Sequence, residues 1–255
     1  NFGQRPFAYT PPTDHKSLCT QNLTDPTIAD GSDYFDVDTY TGTGNALERS
    51  NFSFNPDLLW FKQRSGSSTS HALIDFVRGG DKRLVVNGTN TENDVDQFGG
   101  GVTSFDNDGF TLGTWTAING SGETYVAWAW DAGTTTDTSN DAGSITTSVR
   151  ANQSAGFSIV TGTGSSSAAK TCGHGLNTEP HFIIVKLRVT AGNGYDQDWQ
   201  VYHKDLGNTK GLKLNTTAGT ETSSSIWNNT SPTSSVFSIG ASSRYDGNFV
   251  AYCFA

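Results

Sequence analysis

The stretch NPDLLWFK at residues 55–62 returns as EPHFIIVK at residues 179–186, with the proline and the lysine at the same spacing. Each copy is an apolar run of strand length, and each is followed by a Lys-x-Leu-x-x-Asn motif. The distance along the chain from Pro56 to Pro180 equals that from Tyr125 to Phe249. Such a regular recurrence predicts an internal duplication, which is more typical of modular, stacked or fibrous proteins than of enzymes.

Local patterns predict strands throughout the chain. Apolar residues do not recur at helical intervals over a dozen positions without an interrupting Gly or Pro, and short apolar runs alternate with turns rich in Gly and Asn. We therefore predict an all-β protein of two tandem antiparallel β-sandwiches, jelly-roll or lectin-like in type. The predicted strands span residues 34–40, 57–64, 71–76, 83–86, 102–105, 109–112, 124–130, 156–160, 181–189, 199–202, 211–214, 236–239 and 248–254.

The predicted organisation has four parts. Residues 1–31 are rich in proline and precede the first sandwich, which covers residues 32–133, and the second sandwich covers residues 154–255. Residues 134–153 are rich in Thr, Ser and Ala. We predict a linker there, with one short strand near residues 144–149, because this segment is too polar to form a core of its own.

The chain is acidic, with a net charge of −9 and a pI near 4.8. Binding of nucleic acid needs clustered Lys and Arg, and the sequence has no such cluster, so we predict no nucleic-acid partner. The longest apolar runs are far shorter than the roughly 18–20 residues of a membrane helix, which predicts no membrane insertion. With no Met and with Asn1 as its first residue, the sequence is expected to be either a processed product or part of a longer protein.

Two acidic groups raise the question of calcium, since hard cations bind closely spaced carboxylates. An EF-hand loop beginning at Asp106 would need Glu at its twelfth position, where Ala117 stands. The segment from Asp106 to Asp108 is therefore predicted to be a turn whose side chains bond their own backbone. We also predict no metal at the second group, which comprises Asp33, Asp36 and Asp38.

The histidines and cysteines predict neither a metal site nor a catalytic centre. Cys172 and His174 flank a glycine, but no second pair completes a tetrahedral zinc site. Two alternatives remain for the thiols of Cys172 and Cys253: a disulfide between them, or free thiols buried as small hydrophobic groups, which the apolar sequence around Cys253 favours. No catalytic residue, metal or cofactor is predicted. The histidines are scattered, at His15, His71, His174, His181 and His203.

Three tryptophans, Trp115, Trp199 and Trp227, occur in polar, turn-rich sequence and are candidates for stacking on sugar rings. Aromatic residues in such loops more often belong to small satellite cores, so no ligand-binding residue is assigned. The paired carboxylates of a glycoside hydrolase need not be neighbours in sequence, and that alternative stays open.

The N-terminal segment NFGQRPF at residues 1–7, with Tyr9, resembles the closing strand of a SPRY domain, whose remainder is expected upstream. Residues 11–12 (PP) and 16–23 (KSLCTQNL) resemble the segment that follows SPRY domains in virion proteins of tailed phages. The resemblance implies that the first sandwich is preceded by the end of a truncated SPRY-like domain.

The second half of the chain carries a longer series of motifs: GFSIV at 156–160, GHGL at 173–176, PHFIIVK at 180–186, WQVYH at 199–203, LGNTK at 206–210, IWNNT at 226–230, PTSSVFS at 232–238 and VAYCFA at 250–255. Together they are similar to a repeat found in tail-fibre and structural proteins of marine and cyanobacterial phages. The first half resembles a divergent copy. This resemblance assigns no chemistry to any residue.

The duplication and the resemblances predict a non-enzymatic phage virion protein, a tail fibre or similar appendage whose lectin-like modules attach to the host surface. Its expected partners are other virion proteins and a glycan or protein of the host surface, and its expected location is the surface of the particle. The resemblance implies a trimer, and the need to cover edge strands agrees with a homo-oligomer. Two alternatives stay open: a spacer or capsid decoration protein that contacts only virion proteins, and a glycan-cleaving fibre module.

Overall fold

The computed structural model describes Thr13 and residues 28–66, 69–189 and 196–255. The chain divides into two compact units, Asn1–Gly31 and Ser32–Ala255. The strand predicted from the SPRY resemblance, together with Cys19, lies outside the described residues. The second unit is all-β, as predicted, with its strands in antiparallel sheets and only short helical segments between them.

The second unit contains two lobes, lobe 1 (residues 32–133) and lobe 2 (residues 134–255). The strands of lobe 1 are β1 (Phe35–Thr41), β2 (Leu47–Arg49), β3 (Leu58–Gln63), β4 (Ala72–Asp75), β5 (Lys82–Val85), β6 (Asn93–Asp94), β7 (Val102–Asp106), β8 (Gly109–Leu112) and β9 (Thr124–Trp130). Those of lobe 2 are β10 (Thr136–Asn140), β11 (Thr147–Asn152), β12 (Phe157–Thr163), β13 (Lys170–Gly173), β14 (Phe182–Leu187), β15 (Gln200–His203), β16 (Lys210–Lys213), β17 (Glu221–Thr222), β18 (Val236–Ile239) and β19 (Asn248–Phe254). The helices are α1 (Thr116–Asn119) and α2 (Ser224–Trp227), and 3₁₀ turns span Gly31–Asp33, Asp96–Phe98, Lys204–Leu206 and Ser243–Tyr245.

The two lobes have the same strand order. In lobe 1 a large sheet, β1-β9-β3-β4-β5-β6, faces a small sheet, β2-β8-β7; in lobe 2 the order β12-β19-β14-β15-β16-β17 faces β13-β18. The register repeats as well, since Lys62 and Trp130 hold the same positions in lobe 1 as Lys186 and Phe254 in lobe 2. The equivalences expected from the repeated motifs are therefore present in the strand pairing.

Each lobe encloses a core between its large and its small sheet. Because side chains alternate along a strand, Leu59 and Phe61 of β3 point into the core of lobe 1, while Ile183 and Val185 of β14 point into that of lobe 2. All four side chains are at most 1% exposed. Each lobe therefore has a sandwich core of its own. Burying one aliphatic or aromatic side chain of this size stabilises the folded state by about 1.5–3 kcal/mol.

The opposite faces of the two large sheets pack against each other. Leu58 and Leu73 of lobe 1 join Ile184, Trp199 and Val250 of lobe 2 in a third buried cluster. Strands β3 and β14 are therefore covered on both faces, which explains their nearly continuous apolar sequences. The outcome is a stack of four sheets, in the order small, large, large, small.

Charged groups are buried in the same interface. The side chain of Arg78 donates from Nε to Asp75 at 2.5 Å and from Nη1 to Glu92 at 3.0 Å. Glu92 also accepts two bonds of 2.8 Å from Arg188 of lobe 2, and the hydroxyl of Tyr252 donates to Asp75 at 2.7 Å. Burial acts to raise the pKa of Glu92, but the two arginines hold this pKa below its usual value. We call these five residues the interlobe network.

The segment 134–153 differs from the linker predicted for it. It forms β10 and β11, and β11 pairs with β12 over five residues from Ser148 to Asn152, so that both strands extend the large sheet of lobe 2. Arg150 of β11 also donates to the buried carboxylate of Asp57 at 2.7 Å. The polar composition of residues 134–153 is compatible with a position at the edge of the large sheet, because strands near a sheet edge need little apolar surface.

Candidate functional site

An open cleft of about 590 Å³ lies where the two lobes meet. Its volume falls within the roughly 300–1,000 Å³ of typical ligand sites. Equivalent positions of the two lobes line it, because Val86 and Asn87 end the β5 region of lobe 1 as Leu214 and Asn215 end the β16 region of lobe 2. The remaining lining residues are Trp60, His71, Thr216 and Thr217.

A tryptophan and a histidine form the lobe 1 wall of the cleft. The indole Nε1 of Trp60 donates to Nδ1 of His71 at 2.9 Å, and the two rings meet edge to face with centroids 5.8 Å apart. Trp128 packs edge-on against Trp60 from the other side, at 6.1 Å. The half-buried indole is thus fixed by its neighbours and presents an apolar surface beside polar groups.

The hydrogen bond from Trp60 determines the tautomer of His71. An indole nitrogen can only donate, so Nδ1 of His71 accepts and the neutral ring carries its proton on Nε2. Burial lowers the pKa of His71, and the positive charge of Lys62 lowers it further. The imidazole is therefore neutral at pH 7 and offers an N–H donor rather than a charge.

Two equivalent asparagines add amide groups to the cleft. The side-chain oxygen of Asn87 accepts the backbone N–H of His71 at 3.0 Å, and that of Asn215 accepts the backbone N–H of Trp199 at 3.1 Å. Asn215 also donates to Asp198 at 2.9 Å. Both asparagines thereby join the end of one strand to the start of another, and the amino group of Asn87 has no hydrogen-bond partner within the described residues.

The cleft is open because the two lobes differ at one matched position. Trp199 of lobe 2 is 0% exposed and donates from its indole to the carbonyl of Val85 at 3.0 Å. His71 is the lobe 1 equivalent of Trp199, because its backbone N–H bonds to Asn87 as that of Trp199 bonds to Asn215. The imidazole of His71 is smaller than an indole and fills less of the interface between the lobes. A wholly apolar cavity of about 220 Å³ adjoins the cleft and shares Trp60, Val86 and Leu214 with it.

The tryptophans singled out in the sequence belong to the cores. Trp115, Trp199 and Trp227 are 7%, 0% and 2% exposed, so none of them presents a ring face to solvent. Trp60 was missed because it lies inside an apolar strand and looks like a core residue in the sequence. A usable signal was available, since the equivalent position of lobe 2 holds the aliphatic Ile184.

The acidic groups form local and pairwise contacts. Asp106 accepts the hydroxyl of Ser104 and, at 2.9 Å, that of Thr111, within the hairpin that joins β7 and β8, while Asp38 forms an ion pair with Arg49 at 2.6 Å. Among the described residues, no group of three or more His, Cys, Asp or Glu side chains is placed to hold a metal ion.

The thiols of Cys172 and Cys253 are free and buried, which resolves the alternatives that the sequence left open. Burial raises the pKa of Cys253 to about 12, so this thiol is protonated at neutral pH. His174 is also buried, and its ring contacts the carbonyl of Thr233 at 3.1 Å and the N–H of Leu176 at 3.2 Å. It is a structural histidine of the turn after β13.

Comparison with known proteins gives a family but no activity. No curated protein and no solved structure matches the chain. None of the helices in the described part has the length and hydropathy that crossing a bilayer requires. The model of a domain of unknown function, DUF7483, matches residues 30–255, which include both lobes. The chain therefore belongs to the DUF7483 family.

Proposed function

We propose that this protein is a non-enzymatic phage virion component, a tail fibre or similar appendage, and that its lectin-like lobes attach to a saccharide of the host surface through the cleft between them. The observation that carries the proposal is the combination of Trp60, the Nε2–H of His71 and the amide of Asn87 in one open cleft. The virion assignment rests on the resemblance of the sequence motifs to phage repeats.

The chemistry of the cleft suits a sugar better than a compact apolar ligand. A pyranose has apolar C–H faces that pack on an indole and hydroxyl groups that need both donors and acceptors. The cleft supplies an indole face, an imidazole donor, amides and the hydroxyls of Thr216 and Thr217. The cleft is open to solvent, so each contact with a sugar would be weak, and attachment would depend on many copies acting together.

Copies of the protein would then be held together in the particle. We propose a homo-oligomer, most simply a trimer, that contacts other virion proteins and presents its clefts outward. The number three comes from the resemblance to phage fibres. The outermost strands β1 and β6 of lobe 1 and β10 and β17 of lobe 2 leave edges that a neighbouring copy could cover.

A second candidate function, a rigid spacer or capsid decoration protein, is favoured by one observation. The interlobe network and the third buried cluster, which lies between the two large sheets, join the two lobes into a single stiff body. Stiffness of this kind is useful in a protein that only separates or clamps other virion proteins. A glycan-cleaving module is the third candidate.

The three candidates are separated by a glycan array and a host-cell binding assay with the wild-type protein, Trp60→Ala and, as a matched control, Phe35→Ala. Phe35 is an exposed aromatic residue of lobe 1 that lines neither the cleft nor any other proposed ligand site. We expect wild type and control to bind, and Trp60→Ala to bind about tenfold more weakly or worse, as for truncation of a binding hot spot.

Thermal unfolding of each variant shows whether the fold is intact. Binding that is equal in wild type and Trp60→Ala would refute the cleft as the site. Absence of binding to cells and glycans, together with binding to isolated virion proteins, would support the spacer. Shortening of a bound oligosaccharide would support the glycan-cleaving module.

A further inference from the structure

A second cavity, separate from the cleft, contains an arginine that has no carboxylate partner among the described residues. It has a volume of about 340 Å³ and lies in lobe 1 between β5, β6 and the start of α1. Arg83 is the one charged residue in its described lining, beside Asn93, Phe98 and Trp115. We call it the Arg83 cavity.

The guanidinium of Arg83 is held in place but not neutralised. It lies over the indole of Trp115, with Cζ 5.1 Å from the ring centroid. Its Nε is buried and has no hydrogen-bond partner among the described residues, and the same holds for the hydroxyl of Thr69 in the same lining. Burial lowers the pKa of Arg83, and no acidic group of the described residues acts to raise it. A partly buried cation without a counter-charge is costly to keep, which calls for an explanation.

The second lobe shows that the fold does not require this arginine. Arg83 pairs with Asn93 across β5 and β6 just as Gly211 pairs with Glu221 across β16 and β17. A Cβ at Gly211 would lie 2.9 Å from Cδ1 of Ile226, so the equivalent space in lobe 2 is filled by protein. Lobe 1 therefore has a cation beside an empty volume at a position where lobe 2 has a glycine covered by Ile226.

The walls of the cavity indicate the shape of a ligand. Phe98 is 56% exposed, the largest exposed fraction among the exposed large hydrophobic side chains, and it provides a ring face at the rim. Asn93 and Ser70 add an amide and a hydroxyl. A planar guanidinium binds carboxylates with two parallel hydrogen bonds, an arrangement that a point charge does not offer.

We propose that the Arg83 cavity binds the carboxylate-bearing ring of an acidic saccharide. The carboxylate pairs with the guanidinium, the apolar face of the ring packs on Phe98, and the hydroxyls bond to the polar wall. This site deepens the proposed function, on which it rests for the choice of a saccharide, by adding an acidic-sugar subsite outside the interlobe cleft.

The test is calorimetric titration with a galacturonate trisaccharide and with its methyl ester, in which the ring is kept and the charge is removed. We expect wild type to bind the acid, and the ester to bind about tenfold to a hundredfold more weakly, as for loss of hydrogen bonds to a charged group. Arg83→Gln should show the same loss for the acid. Arg83→Lys should recover only part of it, because lysine keeps the charge but not the paired geometry.

Two controls separate this site from the cleft and from a purely structural arginine. Trp60→Ala should bind the acid as wild type does, and Arg83→Gln should keep any binding of neutral glycans. Arg83→Gln should also be at least as stable as wild type, since it removes a partly buried charge that has no counter-charge among the described residues. The proposal is overturned by equal affinity for acid and ester, by equal binding of inorganic sulfate, by no binding of the acid, or by an Arg83→Gln variant that binds normally.

Discussion

Replacing Arg78 by methionine should destabilise the protein more than any other removal of a single charge in the interlobe network. Its side chain is 0% exposed, and so is that of Asp75. Besides its two ion pairs, Arg78 donates to the carbonyls of Lys82 at 2.8 Å and Leu73 at 3.1 Å. Methionine fills a similar volume without making any of these bonds.

The magnitude follows from what the substitution leaves behind. Asp75 keeps the hydroxyl of Tyr252 and the backbone N–H of residue 78, at 2.7 and 2.9 Å, but loses its buried counter-charge. Removing one partner of a buried ion pair costs about 3–5 kcal/mol. Glu92 stays paired with Arg188, so the loss of its bond to Arg78 should add little to the loss of stability. Since domains are stable by only about 5–15 kcal/mol, the loss should be a large part of the total.

The assay is urea unfolding followed by tryptophan fluorescence at pH 7. The matched control is Lys82→Met, which removes a cation of an exposed ion pair in the same lobe and should leave the midpoint near that of wild type. Adding Asp75→Asn to Arg78→Met should restore part of the lost stability, because it removes the uncompensated charge. The reasoning would be refuted if Arg78→Met lowered the free energy of unfolding by less than about 1 kcal/mol while the dependence of that free energy on urea concentration stayed unchanged.

Further predictions concern pH, packing and cooperativity. Burial lowers the pKa of Lys186 to about 8, so the charged form of this lysine is disfavoured in the folded state. Above pH 8 the folded protein therefore binds fewer protons than the unfolded chain, and the stability of wild type should rise relative to that of Lys186→Met between pH 8 and about 10, as measured by urea unfolding. Because the pKa of His71 is lowered, glycan binding at the cleft should be constant near pH 7 and weaken only in acid, where protonation of Nδ1 breaks the bond from Trp60; binding titrations that strengthen on acidification would contradict this. Gly80→Ala should cost about 2 kcal/mol or more in the same unfolding assay, since a Cβ there overlaps the carbonyl oxygen of Val102. Calorimetry should show one unfolding transition for both lobes, because the third cluster is buried between them; two separated transitions would contradict it.

The repeated motifs were sufficient to predict most of the strands and the equivalences between the two lobes. Apolar runs such as 58–61 and 182–185 are long enough for a strand and too short for a helix, and glycine and asparagine mark their ends. The short strands β2, β6 and β17 were missed, because two or three residues carry no periodic signal. Strands β10 and β13 were also missed, because their sequences, TDTSN and KTCG, show no apolar alternation. The segment 134–153 was taken for a linker because its strands are held largely by backbone hydrogen bonds, which composition does not reveal.

The packing of the lobes and the position of the site could not be predicted in the same way. Leu58, Ile184 and Tyr252 look like ordinary residues of central strands, and nothing local indicates that they face another sheet of the same chain. Exposure of an aromatic ring is likewise set by distant residues. Trp199 stands in polar sequence and is buried, whereas Trp60 stands in an apolar run and reaches the cleft.

Joining two like lobes in one chain has a consequence for specificity. In a dimer of identical subunits, a substitution at the contact appears twice, so a change that opens space on one side opens it on both. Here His71 and Trp199 occupy matched positions with different side chains, and so do Arg83 and Gly211. Covalent linkage therefore allows one lobe to maintain the contact between the lobes while the matched position of the other lobe carries a different side chain.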